Sequence, residues 1–278
     1  MTTAPWRPLR GVDPARLAAA REQAHHAVQW LARAARAYSP PRPDDSHTNL
    51  GWDDQFGGFI AHPLPDGARL GLRIADLTLA LLGPSDTALQ DTFALDGRHD
   101  ADACTWLGAR ASARHLDPKA LDAALPYMLK ARANDAYAAT ALAEPLGELA
   151  TWFSNANAAL GAIRTDIAAR GIAPPPVCCW PHHFDLDTLV TVAPGHTTGI
   201  GFEPGDDYYD EPYFYVSIYP APDAMTLPAL PAIGHWHTKH FTAAIAPAHR
   251  IAATMMPGAE VAAFLRAATE IAINEHLP

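Results

Sequence analysis

The chain has 278 residues, of which 49% are hydrophobic, and its 30 acidic and 20 basic residues give a net charge of −10. This length suits one large domain or two closely packed halves, and the hydrophobic content is typical of a globular protein. No apolar run reaches the roughly 18–20 residues that a membrane span requires. The acidic balance and the lack of a basic stripe argue against a nucleic-acid partner. We therefore expect neither nucleic acid nor a membrane as a partner.

Two features of the sequence indicate a cytoplasmic protein. The first ten residues carry Arg7 and Arg10 but no apolar segment, which is not the pattern of a signal peptide. The cysteines Cys104, Cys178 and Cys179 are odd in number and include an adjacent pair, which fits a reducing compartment rather than a disulfide framework. Neighbours on a strand point to opposite faces, so structural roles are favoured over metal binding for the adjacent pair.

A long helix followed by short strands is predicted for the first part of the chain. Asp13 and Pro14 form a typical helix start, and apolar residues at helical spacing continue to Tyr38. Prolines at 40–43 end this helix, and a polar segment, 46–54, follows it. Beyond it the pattern predicts strands at 56–62, at 68–82 with a break near Asp76, and at 87–95, and then a helix at 101–115.

The second part of the chain repeats this order. Residues 117–141 are rich in alanine with weak periodicity and are interpreted as short helices and loops. A helix follows whose apolar face runs from Leu146 to Ile167, and it ends near Gly171, before three consecutive prolines. Strands are then predicted at 177–180, 186–192, 197–203, 213–219 and 241–246, and a closing helix begins at Pro257.

The order helix, proline cluster, histidine-rich turn, strands and helix thus occurs twice. We predict an α+β fold with antiparallel sheets packed against long helices. Its parts are an N-terminal half, 1–116, a connection, 117–141, and a C-terminal half, 142–278. An internal duplication would explain the repeated order. The residue identities do not repeat well, so two unrelated αβ segments are an equal alternative.

The first of three candidate chemical motifs is the segment Trp180-Pro-His-His-Phe-Asp185. In an extended conformation, His183 and Asp185 would share one face because side chains alternate along a strand. A histidine and a carboxylate in this arrangement can bind a metal, or act as a base with its orienting acid. The alternative is a histidine that is hydrogen-bonded within a proline-rich turn.

The second motif is Gly234-His-Trp-His-Thr238, in which His235 and His237 share a strand face and Trp236 points away. A His-x-His pair is a recurrent way for a strand to present two imidazoles to one metal ion. Such a pair also arises by chance in a chain with 14 histidines. Together with the first motif it would supply three or four ligands.

The third motif is the acidic and aromatic loop from Glu203 to Pro212 and the strand that follows it. Pro-Gly-Asp is turn chemistry, and the carboxylates after it face either solvent or a ligand. Asp206 and Glu211 flank strand ends and are expected to point inward. Tyr213 begins a strand on which alternate tyrosines can line a cavity beside the histidines and donate a proton or hydrogen bond.

Several familiar signatures are absent from the sequence. It contains no Gly-x-Gly-x-x-Gly after a strand, no Walker loop, no Gly-x-Ser-x-Gly elbow and no His-Glu-x-x-His. We therefore expect no nucleotide cofactor and no serine-hydrolase chemistry.

The three motifs together resemble an uncharacterised bacterial protein family of unknown function. The resemblance rests on Trp180-Pro-His-His-Phe-Asp185, on Pro204-Gly-Asp206 with Glu211-Pro-Tyr-Phe-Tyr215, and on Gly234-His-Trp-His-Thr238. The segment His47-Thr-Asn-Leu-Gly-Trp-Asp53 is similar to the N-terminal half of that family, so the likeness covers most of the chain. It implies a soluble bacterial protein and carries no activity over to this chain.

Three functions follow from the residues. The first is a metal-dependent enzyme for a small polar molecule, with zinc favouring hydrolysis and iron favouring oxidation. Its predicted metal ligands are His183, His235 and His237, with Asp185 as a ligand or a supporting residue; its acid–base groups are Glu203 or Asp206, and Tyr213 is a catalytic donor. The second is a metal-free protein that binds a small molecule in the same pocket. The third is a structural or partner-binding domain. Substrate and oligomeric state do not follow from the sequence.

Overall fold

The computed structural model describes residues 6–84 and 88–274. The chain folds into two compact units. The N-terminal unit comprises Val12–Ala150 and Cys179–Phe184, and the C-terminal unit comprises Met1–Gly11, Thr151–Cys178 and Asp185–Pro278. The fold is α+β with antiparallel strands and long helices, as the sequence predicts. None of the helices within the described ranges is long and apolar enough to cross a bilayer.

The first helices and strands lie in the N-terminal unit. They are α1 (Pro14–Tyr38), β1 (Leu50–Asp53), β2 (Gly58–Ala61), β3 (Arg69–Arg73), β4 (Thr78–Leu82), β5 (Leu89–Ala94) and α2 (Asp100–Ser112). The remaining elements are α3 (Ala143–Ala168), β6 (Cys178–Trp180), β7 (Asp185–Ala193), β8 (His196–Glu203), β9 (Tyr213–Tyr219), β10 (His235–His237), β11 (Ala243–Pro247), α4 (Ala248–Ala252) and α5 (Pro257–Asn274).

The N-terminal unit is a meander in which each strand from β1 to β5 pairs with the next. The carboxylate of Asp13 accepts hydrogen bonds from the backbone N–H groups of Ala15 and Arg16 and so caps α1 as expected. The buried face of α1, which includes Val28 and Leu31, packs on β2 and β3. The predicted break near Asp76 is a turn between β3 and β4, whereas β1 is a strand that the polar sequence of 46–54 did not predict. Thr87, the predicted first residue of β5, lies outside the described residues.

The C-terminal unit has the strand order β7-β8-β9-β11-β10. One face of this sheet is apolar, and α5 packs on β8, β9 and β11. Phe202 on this face stacks on Trp152 and meets Phe153 edge-on, and both of these residues come from α3. The last strand in the chain, β11, lies between β9 and β10, so these strands are not in chain order. The N-terminal strands β1 to β5 are in chain order. The strand order therefore departs from a strict internal duplication at this point.

Candidate functional site

The opposite face of the C-terminal sheet carries acidic, tyrosine and histidine side chains. Strand register sets them in rows, because residues directly opposite each other on paired strands point to the same side. One row runs across the five strands through Asp187, Gly201, Tyr215, Ile245 and His235. The register of β7 and β8 begins with Leu186 opposite Phe202, so the preceding residue, Asp185, lies opposite Glu203. Glu203 in turn pairs with Tyr213 of β9.

Asp185 is the most unusual residue on this face. It is only 7% exposed, and its Oδ2 accepts a hydrogen bond of 2.6 Å from the hydroxyl of Tyr215. Its other oxygen, Oδ1, is buried without a hydrogen-bond partner among the described residues. Burial raises the pKa of Asp185 to about 6, and the bond from Tyr215 opposes that shift without cancelling it. Burial therefore keeps Asp185 protonated to a higher pH than an ordinary aspartic acid.

Two glycines of β8 make room for the tyrosine that holds Asp185. A Cβ atom on Gly201 would lie 2.5 Å from the Tyr215 ring, and one on Gly199 would lie 2.7 Å from Ser217 Oγ. The Tyr215 side chain therefore lies directly over β8 and reaches across it to Asp185 on β7. Any larger residue at position 201 would displace it.

Two more carboxyl groups flank Asp185. Glu203 is 7% exposed and Asp187 is 9% exposed, and both also make contacts of their own. Opposite residues on antiparallel strands have Cβ atoms about 4.5–5.5 Å apart, so Glu203 is a close neighbour of Asp185. We refer to Asp185, Asp187, Glu203 and Tyr215 as the carboxyl–tyrosine site. The structure thus brings the predicted acid–base residue Glu203 together with Asp185.

The other predicted catalytic residues, Asp206 and Tyr213, are hydrogen-bonded to each other. The Tyr213 hydroxyl donates to Asp206 Oδ2 at 2.9 Å, and Asp206 Oδ1 accepts from the backbone N–H groups of Tyr208 and Tyr209 at 2.8 Å each. Burial, with Glu203 and Asp206 nearby, raises the pKa of Tyr213 far above its ordinary value. These hydrogen bonds therefore hold the 204–212 loop against β9. Glu211 likewise accepts from the backbone and side chain of His249.

His235 and His237 lie on one face of β10, as predicted, and share a hydroxyl group. The Tyr209 hydroxyl lies 3.0 Å from His235 Nε2 and 3.0 Å from His237 Nδ1. Burial is the largest cause that lowers the pKa of His235, and the nearby positive charge of Arg250 acts in the same direction. Trp236 points the other way, and its indole N–H donates to the Pro228 carbonyl at 2.7 Å.

His183 lies in a turn, so the prediction that it shares a strand face with Asp185 is wrong. The backbone N–H groups of His183 and Phe184 both donate to the Trp180 carbonyl, and Phe184 has a φ of +68°. Residues 181–184 therefore close a proline-rich turn before β7 begins at Asp185. His183 is thus a residue of this turn, within which its backbone N–H is hydrogen-bonded.

The turn has its own histidine neighbourhood within the N-terminal unit. The rings of His182 and His183 are 4.2 Å apart, and His182 also contacts Tyr127. Burial lowers the pKa of His182 to about 4. Nearby, the His25 ring stacks on Phe184, and its Nε2–H donates a hydrogen bond to the Pro181 carbonyl. Burial also lowers the pKa of His25 to about 4, so the His25 and His182 rings are neutral and pack against the turn.

The predicted metal ligands are not grouped around one metal position; they are His183, Asp185, His235 and His237. In the parts of the chain that the structure describes, no three His, Cys, Asp or Glu residues are grouped so that they could hold a metal ion. His183 belongs to the N-terminal unit, whereas the other three belong to the C-terminal unit.

The sequence did not predict a role for Asp187 and the two β8 glycines at the carboxyl–tyrosine site, or for Tyr209 beside His235 and His237. Alternation along β7 was a signal for Asp187, since it lies two residues after Asp185. No sequence signal links Tyr209 to His235 and His237, because that contact joins a loop to a strand 26 residues later.

No family model, curated protein or solved structure matches this chain.

Proposed function

We propose that the protein binds a small molecule carrying an ammonium group at the carboxyl–tyrosine site and exchanges a proton with it through Asp185. The observation that carries the proposal is the hydrogen bonding of the two Asp185 oxygens. One of its oxygens is held by Tyr215, and the other is buried without a hydrogen-bond partner among the described residues. Buried polar groups are normally hydrogen-bonded, so an orphan oxygen is a place for a ligand donor.

The chemistry of the neighbours supports a cationic ligand. Asp187 and Glu203 add two carboxyl groups to the same face, which disfavours an anion and favours a cation. The ring of Tyr215 is partly exposed and can meet a cation over its face. The net charge of −10 draws cations toward the molecule as a whole.

The proton-exchange part rests on the pKa of Asp185. Efficient acid–base groups have a pKa near the working pH, and burial raises the pKa of this carboxyl to about 6. Asp185 can therefore accept a proton from a bound ammonium group and return it. The Tyr215 hydroxyl fixes which oxygen faces the ligand, because it occupies Oδ2.

The test is a thermal-shift screen of the purified protein against a panel of small primary, secondary and cyclic amines. A ligand that binds only the folded state stabilises it by about 2.7 kcal/mol at a hundred times its Kd. We expect at least one amine to raise the melting temperature of the wild type, and the effect to strengthen as pH rises through about 6, because the ionised carboxylate then binds the cation.

Matched variants assign the effect to the site. Asp185→Asn should lose the stabilisation by the amine, and Tyr215→Phe should weaken it. Asp210→Asn removes an exposed carboxylate of the nearby loop and should leave the effect intact. If Asp185→Asn keeps the full response, or if no amine stabilises the wild type, the proposal is wrong and the alternative of a structural or partner-binding domain gains support.

A further inference from the structure

The hydrogen bonds around Tyr209 fix which nitrogen carries the proton in each of two histidines. The Lys239 carbonyl can only accept, so His237 Nε2 donates to it at 2.7 Å. In the neutral ring, His237 Nδ1 then carries a lone pair and accepts the single proton of the Tyr209 hydroxyl. The Tyr209 oxygen must therefore accept from His235 Nε2. The remaining nitrogen, His235 Nδ1, is buried with a lone pair and no partner among the described residues.

We propose that His235 Nε2, His237 Nδ1 and the Tyr209 oxygen form a binding site for a divalent first-row transition metal. This site is separate from the carboxyl–tyrosine site, and it does not depend on the function proposed above. Two imidazoles suit zinc, copper, nickel or iron. The phenolate oxygen of Tyr209 completes a set of three ligands.

The distances suit a metal ion. Both nitrogens lie 3.0 Å from the Tyr209 oxygen. Ligands of a tetrahedral ion with bonds of about 2.0–2.1 Å stand about 3.4 Å from each other. Outward movements of a few tenths of an ångström would therefore bring both nitrogen–oxygen distances to the separation found around a tetrahedral ion. The strand geometry already holds both histidines on one side, since His235 and His237 pair with Ile245 and Ala243 of β11.

Further contacts hold two of the three ligands, His237 and Tyr209, in place. Metal-binding histidines commonly donate their second ring N–H to a carbonyl, and His237 does so to Lys239. Phe241 stacks on the His237 ring at 4.3 Å. The backbone N–H of Tyr209 donates to Asp206, which fixes the loop end of the site.

Metal binding at this site has a defined proton balance. The O–H bond of Tyr209 breaks, and its proton leaves to solvent while the oxygen bonds the metal. The proton of His235 moves from Nε2 to Nδ1, which frees Nε2 for the metal. His237 keeps its Nε2 proton on the Lys239 carbonyl. One proton is therefore released for each metal ion bound, and no electron is transferred.

Cu(II) is the probe, because a phenolate bound to Cu(II) gives a charge-transfer absorption band in the visible range that imidazole ligands alone do not give. Titration of the wild-type protein should develop this band and saturate at one equivalent. Zn(II) should compete for the same site and remove the band.

Two neighbouring tyrosines provide a matched pair of variants. Tyr209→Phe keeps the ring but lacks the oxygen, so it should lose the band and bind Cu(II) at least about tenfold more weakly, since losing even an outer partner of a metal site costs about 10–100-fold. Tyr208 is exposed and contacts the edge of His237 without a hydrogen bond to it, so Tyr208→Phe should keep the band. His237→Ala should lose it.

The outcomes that overturn the proposal are distinct from those for the amine site. Absence of the band in the wild type, or its persistence in Tyr209→Phe, would exclude this ligand set. Circular dichroism of each variant without metal separates loss of a ligand from loss of the fold, and Tyr208→Phe controls for general effects of removing a tyrosine hydroxyl from this loop.

Discussion

Asp185 shows how one residue can be kept at a cost in stability. A carboxyl that is buried and raised in pKa weakens the fold whenever it is ionised, because the ionised form is better solvated in the unfolded chain. Replacing it with an uncharged residue would remove that penalty. Perturbed groups of this kind concentrate at functional sites, which is why Asp185 is central to the proposed function.

The pH dependence of stability follows from this pKa. The folded value of about 6 lies above the roughly 3.9 of an unfolded aspartic acid. The contribution of the protonated Asp185 carboxyl to the free energy of unfolding is therefore fully present below pH about 4. It is lost as pH rises through about 6, where the folded-state carboxyl ionises. We expect Asp185→Asn to become more stable than the wild type above pH about 6, by about 1–3 kcal/mol, because asparagine still accepts the bond from Tyr215.

Urea unfolding at a series of pH values measures this effect. The quantity of interest is the difference between Asp185→Asn and the wild type, since other groups titrate in both proteins. Asp210→Asn, which changes an exposed loop carboxylate, should show a nearly constant difference. A constant difference for Asp185→Asn as well would contradict the raised pKa.

Among the elements, β8 is the strand whose composition shapes the site. Its alternation sends Ile200 and Phe202 into the core and leaves glycines at 199 and 201 on the polar face. Glycine weakens a strand, and here it gives the Tyr215 ring the space to cross the strand.

Gly201→Ala should therefore destabilise the protein and move Tyr215 away from Asp185. The added methyl group would lie 2.5 Å from the ring, and such overpacking costs typically about 1–3 kcal/mol. In a Tyr215→Ala background the same change should cost little, because the ring is gone. Thermal or urea unfolding of the four proteins in this double-mutant cycle measures the coupling.

Gly161 in α3 is the matched control for this substitution. It has open space where a Cβ atom would lie, so Gly161→Ala should stabilise the helix by about 0.5–1 kcal/mol. If both glycine variants change stability in the same direction, the close contact with Tyr215 is not the reason for Gly201.

For the whole molecule, the balance of charge bears on which partners we expect. The chain carries 10 more acidic than basic residues. Several of its arginines are already paired with carboxylates, in the ion pairs Arg16–Glu144, Arg73–Asp76, Arg110–Asp91, Arg170–Glu270 and Arg266–Asp166. The carboxylates offset the positive charge of these arginines, which disfavours contacts with phosphates there.

We therefore expect no binding to duplex DNA or single-stranded RNA tighter than about 0.1 mM at physiological salt. Fluorescence anisotropy of labelled oligonucleotides measures this, with a basic DNA-binding protein of similar size as the positive control. Salt-dependent binding in the micromolar range would show that a local basic surface outweighs the net charge.

Most of the helices and strands of this protein are predictable from local sequence patterns. Asp13 and Pro14 set the start of α1, Gly171 and the prolines after it follow the end of α3, and alternation predicted β7, β8 and β9 within a few residues. These features depend on local backbone preferences and on the period of apolar residues, which a single sequence records. Strand β1 escaped prediction because it is only four residues long, which is too short for its alternation to stand out within a polar segment.

Which functional residues meet depends on contacts that form between distant parts of the chain. The turn at 181–184 separates His183 from the face of Asp185, because the Trp180 carbonyl captures two consecutive N–H groups. The pairing of β8 with β9 brings Tyr215 over Gly201 to Asp185, and the 204–212 loop brings Tyr209 to His235 and His237. Contacts between residues distant in the chain depend on register and loop closure, and no local pattern encodes these.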